Sequence, residues 1–201
     1  MDIFINGRAG AGESEIEQRL IYHGYTSIQL SSGIYEIAKN YFNMKKKDRE
    51  LLQSIGQLLR QIDEDVWVKY ACREIDLRKY IEQSDKIVVS DVRQANEYNT
   101  FKDKGFIAIQ VVADLDKRIE RLEKRDGIKI DDDYIKRIEE NPAETGADGK
   151  EYDYIIDNNG TIEELYAKVD EILEQQSNKG DKGKTPRKWR NNNRDIKGTR
   201  I

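Results

Sequence analysis

The 201-residue chain carries 35 Lys/Arg against 39 Asp/Glu, a net charge of −4, with one His and one Cys. That length fits one α/β domain with a sizeable core and a tail, and argues against two domains. With 37% hydrophobic residues, no apolar run near the roughly 20 needed to span a bilayer, no basic-then-apolar leader and a single cysteine, Cys72, the composition predicts no membrane span, no intrachain disulfide, no zinc site and a cytoplasmic location.

The chain opens on an apolar run, Ile3–Asn6, predicted as a strand, and passes into Gly7-Arg8-Ala9-Gly10-Ala11-Gly12-Glu13-Ser14. Glycines at the ends of a six-residue span, followed two positions later by Ser14, form the pattern of a phosphate-binding loop. Such loops wrap phosphate in successive backbone N–H groups at a helix N-terminus. The usual lysine, which reaches the β- and γ-phosphates, is here Glu13; the hydroxyl after it, Ser14, is the usual Mg²⁺ ligand. At about 4 Å and an effective dielectric of about 20, one unit-charge pair is worth about 4 kcal/mol, so exchanging a cation for an anion beside phosphate costs on the order of twice that before relaxation. On charge alone, Glu13→Gln is expected to recover part of the donor affinity and Glu13→Lys more. The structural alternative is a glycine-rich turn whose helix caps itself, because Ser14 and Glu17 have capping-box spacing and Glu13, Glu15 and Glu17 suit a helix N-terminus.

Further strands are predicted at Ser27–Leu30, Lys86–Ser90, Phe106–Val112 and Tyr154–Asp157. Between the second and third lie about 55 residues of helical periodicity, and later helices are predicted at Asn96–Lys104, Leu115–Arg125, Asp132–Glu140 and Thr161–Gln176. His23 is expected at the end of the first helix, on terminal carbonyls or solvent, and Trp67 in the core. Short apolar strands alternating with helices imply a parallel sheet covered on both faces, with ligands beyond the strands' C-terminal ends. Gly7, Ser31, Asp91 and Asn158 would emerge on that edge. Asp91 ends a buried strand and precedes Val92-Arg93, a placement suited to holding Mg²⁺ beside an arginine that neutralises phosphate, or to capping the next helix. From Ser177 the composition changes: nine Lys/Arg against two Asp make residues 177–201 a +7 tail on a −11 body, read as disordered, or as an arm for nucleic acid or another anionic partner with Trp189 available to stack.

Five segments together resemble the phage-type deoxynucleoside monophosphate kinases of the nucleoside monophosphate kinase superfamily: Gly7–Ser14; Leu58-Leu59-Arg60-Gln61-Ile62-Asp63-Glu64-Asp65-Val66-Trp67; Ser90-Asp91-Val92-Arg93-Gln94-Ala95-Asn96-Glu97; Gly105-Phe106-Ile107-Ala108-Ile109; and Tyr154-Ile155-Ile156-Asp157-Asn158-Asn159-Gly160-Thr161. The resemblance implies a three-layer P-loop NTPase fold over residues 1–176, with a five-stranded parallel sheet, a helical acceptor-binding region at 31–85 and a lid-like region at 114–150. It implies ATP as phosphoryl donor, a nucleoside monophosphate as acceptor, and Mg²⁺ on Ser14 and Asp91. Gly7, Arg8, Ala9, Gly10, Ala11, Gly12, Glu13 and Ser14 would surround the donor phosphates. Arg60 and Arg93 would contact acceptor or transferring phosphate, and Arg118, Arg121 and Arg125, on one helix face, would close from the lid. Glu97 either orients Arg93 or is exposed. Asn158 and Gly160 would lie on the adenine side, or form a plain turn. A homodimer is compatible with this reading, and the cytoplasm would be the host's for a phage-encoded chain. Glu13 leaves three accounts open: an inactive kinase-like protein that binds nucleotides, nucleic acid or partners; an engineered loop in an active enzyme; or catalysis with another Lys or Arg in the lysine's place.

Overall fold

The structure, a computed structural model, describes residues 1–140 and 145–181. β1 (Ile3–Gly7) is buried along its whole length and lies in the middle of a five-stranded sheet of order β2-β3-β1-β4-β5. The other strands are β2 (Thr26–Gln29), β3 (Ile87–Ser90), β4 (Ile107–Val112) and β5 (Tyr154–Asp157), and every pairing is parallel. The helices are α1 (Glu13–Tyr22), α2 (Ser32–Phe42), α3 (Arg49–Ile62), α4 (Val66–Ile81), α5 (Ala95–Asp103), α6 (Leu115–Asp126), α7 (Asp132–Glu140) and α8 (Ile162–Asp181).

Side-chain alternation along the strands builds a core on each face. Phe4, Ile87, Val89 and Ala108 point to one side, where they meet Trp67, Ala71, Phe101 and the other apolar residues of α2 to α5. Ile3, Ile5, Val88, Ile109 and Val111 point to the other, against Ile16 and Leu20 of α1 and Leu165 and Val169 of α8. Trp67 is core, as expected, and its indole N–H donates to the Gly56 carbonyl at 3.2 Å. A third, small cluster of Leu122, Ile130 and Ile138 joins α6 to α7 and packs on Ala9. No described helix is long and apolar enough to cross a membrane.

The predicted elements are present with shifted ends. β2 starts at Thr26 rather than Ser27 because the Thr26 N–H pairs with the Lys86 carbonyl at 2.9 Å, and Leu30 lies just outside it. α8 continues past the boundary drawn at 176 to Asp181, with the Ser177 hydroxyl donating back to the Leu173 carbonyl, so the first residues assigned to the tail are helical. The expectations for the rest of the basic tail, Trp189 included, and for positions 141–144 of the lid-like region fall outside the described residues.

His23 departs from expectation. Its backbone N–H closes α1, but its Nε2 lies 2.7 Å from Asp170 of α8, and Asp170 also accepts from Arg19. Arg19 in turn lies over the rings of Tyr22 and Tyr166, at 4.9 and 5.1 Å. Hydrogen bonding from Arg19, and then from His23, holds the Asp170 carboxyl below its ordinary value. A carboxylate with a lowered folded-state pKa stabilises the fold above its unfolded pKa of about 4, and that contribution is lost as pH falls through the folded value. Thermal unfolding of Asp170→Asn at pH 7 should therefore show a Tm lower by about 3 °C, the scale of about 1 kcal/mol in a chain this size. The gap between variant and wild type should close as pH drops below about 4; a gap of constant size down to strong acid would exclude this origin.

Candidate active site

The turn from β1 to α1 is built for close approach of backbone. A Cβ on Gly7 would lie 2.6 Å from Val111 Cγ1 and 2.9 Å from Glu13 Cγ. Gly10 and Gly12 have φ of 81° and 112°, the left-handed region that side chains disfavour. On Gly10 a Cβ would also meet the Arg118 carbonyl at 2.7 Å, and on Gly12 it would run into the Asn158 amide. Gly12 occupies the N-cap of α1, and no side chain caps that N-terminus. The self-capping alternative is thereby corrected. Ser14 is already inside α1 and lines the cleft above it, while Glu17 turns into the interior and accepts from the Ser27 hydroxyl and from Gln29 Nε2 at 3.1 and 3.2 Å.

Asp91 follows β3 with φ 64°, a strained conformation for a residue with a side chain, and accepts from the Ser31 hydroxyl at 2.6 Å. It does not cap α5; Gln94 does, in a capping box completed by Glu97. Glu97 is buried, so the exposed alternative for it is excluded. Its Oε2 accepts from the backbone N–H groups of Arg93 and Gln94, both at 2.9 Å, and its Oε1 accepts from Arg60 Nη2 at 3.0 Å. Glu97 thus fixes the backbone of Arg93 rather than its guanidinium. Arg60 rests on Glu97 and does not line the cleft.

These edges enclose a cleft of about 980 Å³ over the C-terminal ends of the strands, lined by Arg8, Ala9, Gly10, Gly12, Glu13, Ser14, Asp91, Arg93, Arg121, Arg125, Asn158 and Gly160. The three arginines of α6 divide. Arg118 is buried and paired with Glu139 of α7, away from the cleft. Arg121 donates to the Asn158 carbonyl at 2.8 Å and approaches the Gly10 and Ala11 carbonyls, bracing the loop. Arg125 pairs with Asp126, which raises its pKa, and the charge of Arg93 opposes that rise. Asn158 Nδ2 donates to the Ala11 carbonyl at 2.7 Å, so its amide serves the loop. Arg8 likewise turns outward, to the Glu139 carbonyl at 2.8 Å and to Asp148 at 2.6 Å. The cleft also reaches Tyr35, Lys47 and Gln53 from the helical region and Lys124 from α6, none of them singled out from sequence. Their only signal there was membership of the segment between the second and third strands or of the arginine-bearing helix.

The model of the deoxynucleotide monophosphate kinase family matches residues 9–169. The chain belongs to this family. A deoxynucleotide monophosphate kinase of Escherichia phage RB69 is 31% identical over 155 residues, covering 75% of this chain and 54% of that protein, so the chain spans about half the length of this relative. Among solved structures, TT1252 from Thermus thermophilus superposes with a TM-score of 0.58 at 17% identity, over 87% of this chain and 97% of that one. Dephospho-CoA kinase from Campylobacter jejuni superposes with a TM-score of 0.51 at 14% identity, over 89% and 98%. Together they establish the α/β P-loop fold that the resemblance implied.

Gly12→Ala should lower stability by about 2 kcal/mol through the left-handed strain and the contact with Asn158, read as a fall in Tm. Adding Asn158→Ala should recover only the steric part, since the strain at φ 112° remains. Full recovery in the double variant would show that Asn158 alone demands glycine there.

Proposed function

We propose that the chain is an ATP-dependent (deoxy)nucleoside monophosphate kinase, transferring the γ-phosphoryl group of ATP directly to the phosphate of the acceptor. The observation that carries this reading is the convergence of the uncapped N-terminus of α1, the Asp91 carboxylate and the guanidinium groups of Arg93 and Arg125 on one cleft. Family membership supports it, and the likeness to phosphotransferase folds is consistent with it. Transfer of this kind asks little covalent chemistry of a protein: it needs donor and acceptor in line and charge neutralised around the moving group.

On this reading the amides of Gly10 to Ser14 and the positive end of α1 hold the donor phosphates. Ser14 and Asp91 offer a hydroxyl and a carboxylate to the same cleft, hard oxygen donors that fit Mg²⁺. Bound there, the ion would neutralise charge between donor phosphates and orient them. Ser31, hydrogen-bonded to Asp91, fixes the direction of that carboxylate. Arg93 and Arg125 face the transferring phosphate, Tyr35, Lys47 and Gln53 line the side open to the acceptor, and Asn158 and Arg121 keep the loop in shape. Arg60 would act on the acceptor only after leaving Glu97.

Incubation with Mg·ATP and a panel of ribo- and deoxynucleoside monophosphates should yield the diphosphate of at least one, and chelation of divalent ions should stop it. Asp91→Asn should reduce kcat by roughly a hundredfold, the scale of losing one preorganised electrostatic contact to the transition state. A complete panel giving no diphosphate with the unmodified chain would overturn the assignment.

A further inference from the structure

Glu13 is seated away from open solvent. Its Cγ lies against the space a Cβ on Gly7 would occupy, and its side chain is only 11% exposed. From there Oε2 lies 3.7 Å from Nη2 of Arg93, on the opposite wall, and the same Nη2 is 3.5 Å from Asp91 Oδ1. Arg93 is therefore restrained at both ends: its backbone N–H on Glu97 and its guanidinium between the carboxylate at the lysine position of the loop and the carboxylate that follows β3.

The geometry points to an exchange of the loop's cation. In this chain, the positive charge that such a loop carries on its own lysine is supplied across the cleft by Arg93, and Glu13 is the positioning residue that holds it there. The inference rests on the kinase reading for its substrate, but its physical basis is local. A glutamate presented to triphosphate would repel it; one beside an arginine has that repulsion offset, and the planar fork of a guanidinium suits phosphate oxygens as well as carboxylates.

Glu13 is thereby given a sign opposite to the one charge alone suggests. Removing its charge should harm donor binding. Calorimetric titration of the full-length protein with Mg·ATP, alongside kcat and KM for both substrates, reads this directly. Arg93→Met should weaken Mg·ATP binding by about ten- to hundredfold, the scale of a charge-assisted contact. Glu13→Gln should weaken it by about tenfold, while Glu13→Asp, which keeps the anion, retains most of the affinity. The double change Glu13→Lys with Arg93→Met should regain donor affinity, since the cation returns to the loop. Arg93→Lys serves as the conservative control, and thermal unfolding verifies that each variant is folded.

Tighter Mg·ATP binding by Glu13→Gln would show the carboxylate to be a barrier and overturn the inference. So would unchanged binding by Arg93→Met, failure of Glu13→Lys to rescue it, or absence of Mg·ATP binding by the unmodified chain. The kinase reading is judged separately, on turnover. Wild-type-like Mg·ATP binding in every variant of an active enzyme overturns the exchange alone, whereas the expected binding pattern without diphosphate formation overturns the kinase reading alone.

Discussion

The structure depends on leaving the N-terminus of α1 uncapped by any side chain. A helix end buried without partners is costly, because its first amides have no intrahelical acceptor. Here the usual remedy is withheld: Gly12 takes the N-cap position in a left-handed conformation, and no side chain caps the end. Neighbouring groups hold the loop open from outside. Asn158 from the end of β5 accepts no competing duty and donates to Ala11, Arg121 from α6 ties the Asn158 carbonyl to the loop, and α6 packs so closely on Gly10 that no Cβ fits. Two segments far apart in sequence, the end of β5 and α6, therefore converge on this loop and fix its shape.

Charge is distributed around that end in a consistent way. Two cations beside the loop are committed to carboxylates: Arg8 to Glu139 and Asp148, Arg118 to Glu139. They join α7 to the loop and contribute structure rather than field. Two other cations that line the cleft lie beside carboxylates: Arg93 between Glu13 and Asp91, and Arg125 against Asp126. The part-exposed Arg125–Asp126 pair contributes little to stability, about 1 kcal/mol or less. The value of these contacts lies in fixing long side chains at chosen positions before substrate arrives, which removes part of the entropic cost of binding.

The fold was legible in the sequence because β1 and β3, buried along their whole length, and β4 beside them are largely apolar runs, and five short strand patterns alternate with helical ones. The loop was legible because its glycines answer to backbone geometry rather than to side-chain contacts. Capping was not. Ser14 and Glu17 have the same spacing as Thr161 and Glu164, yet only the second pair forms the reciprocal box, with Thr161 N–H on Glu164 Oε2 at 3.1 Å and Glu164 N–H on Thr161 Oγ1 at 3.3 Å. The difference is tertiary: Glu17 faces β2, where Ser27 and Gln29 offer donors, and Gly12 has already begun the helix. Pairings between distant elements were equally out of reach, which is why His23 on Asp170 and Arg60 on Glu97 had to come from the structure.

Glu97 shows how the two halves of the site are linked. A buried carboxylate that lost its partners would be severely destabilising, so its three donors must be present together: the N–H groups of Arg93 and Gln94, which begin α5, and the guanidinium of Arg60 on α3. If Arg60 swings toward an acceptor phosphate, Glu97 surrenders one of those donors, and the remaining two belong to the segment that carries Arg93. On the proposed reading, the position of Arg60 on α3 and the placement of Arg93 are thus tied through one carboxylate.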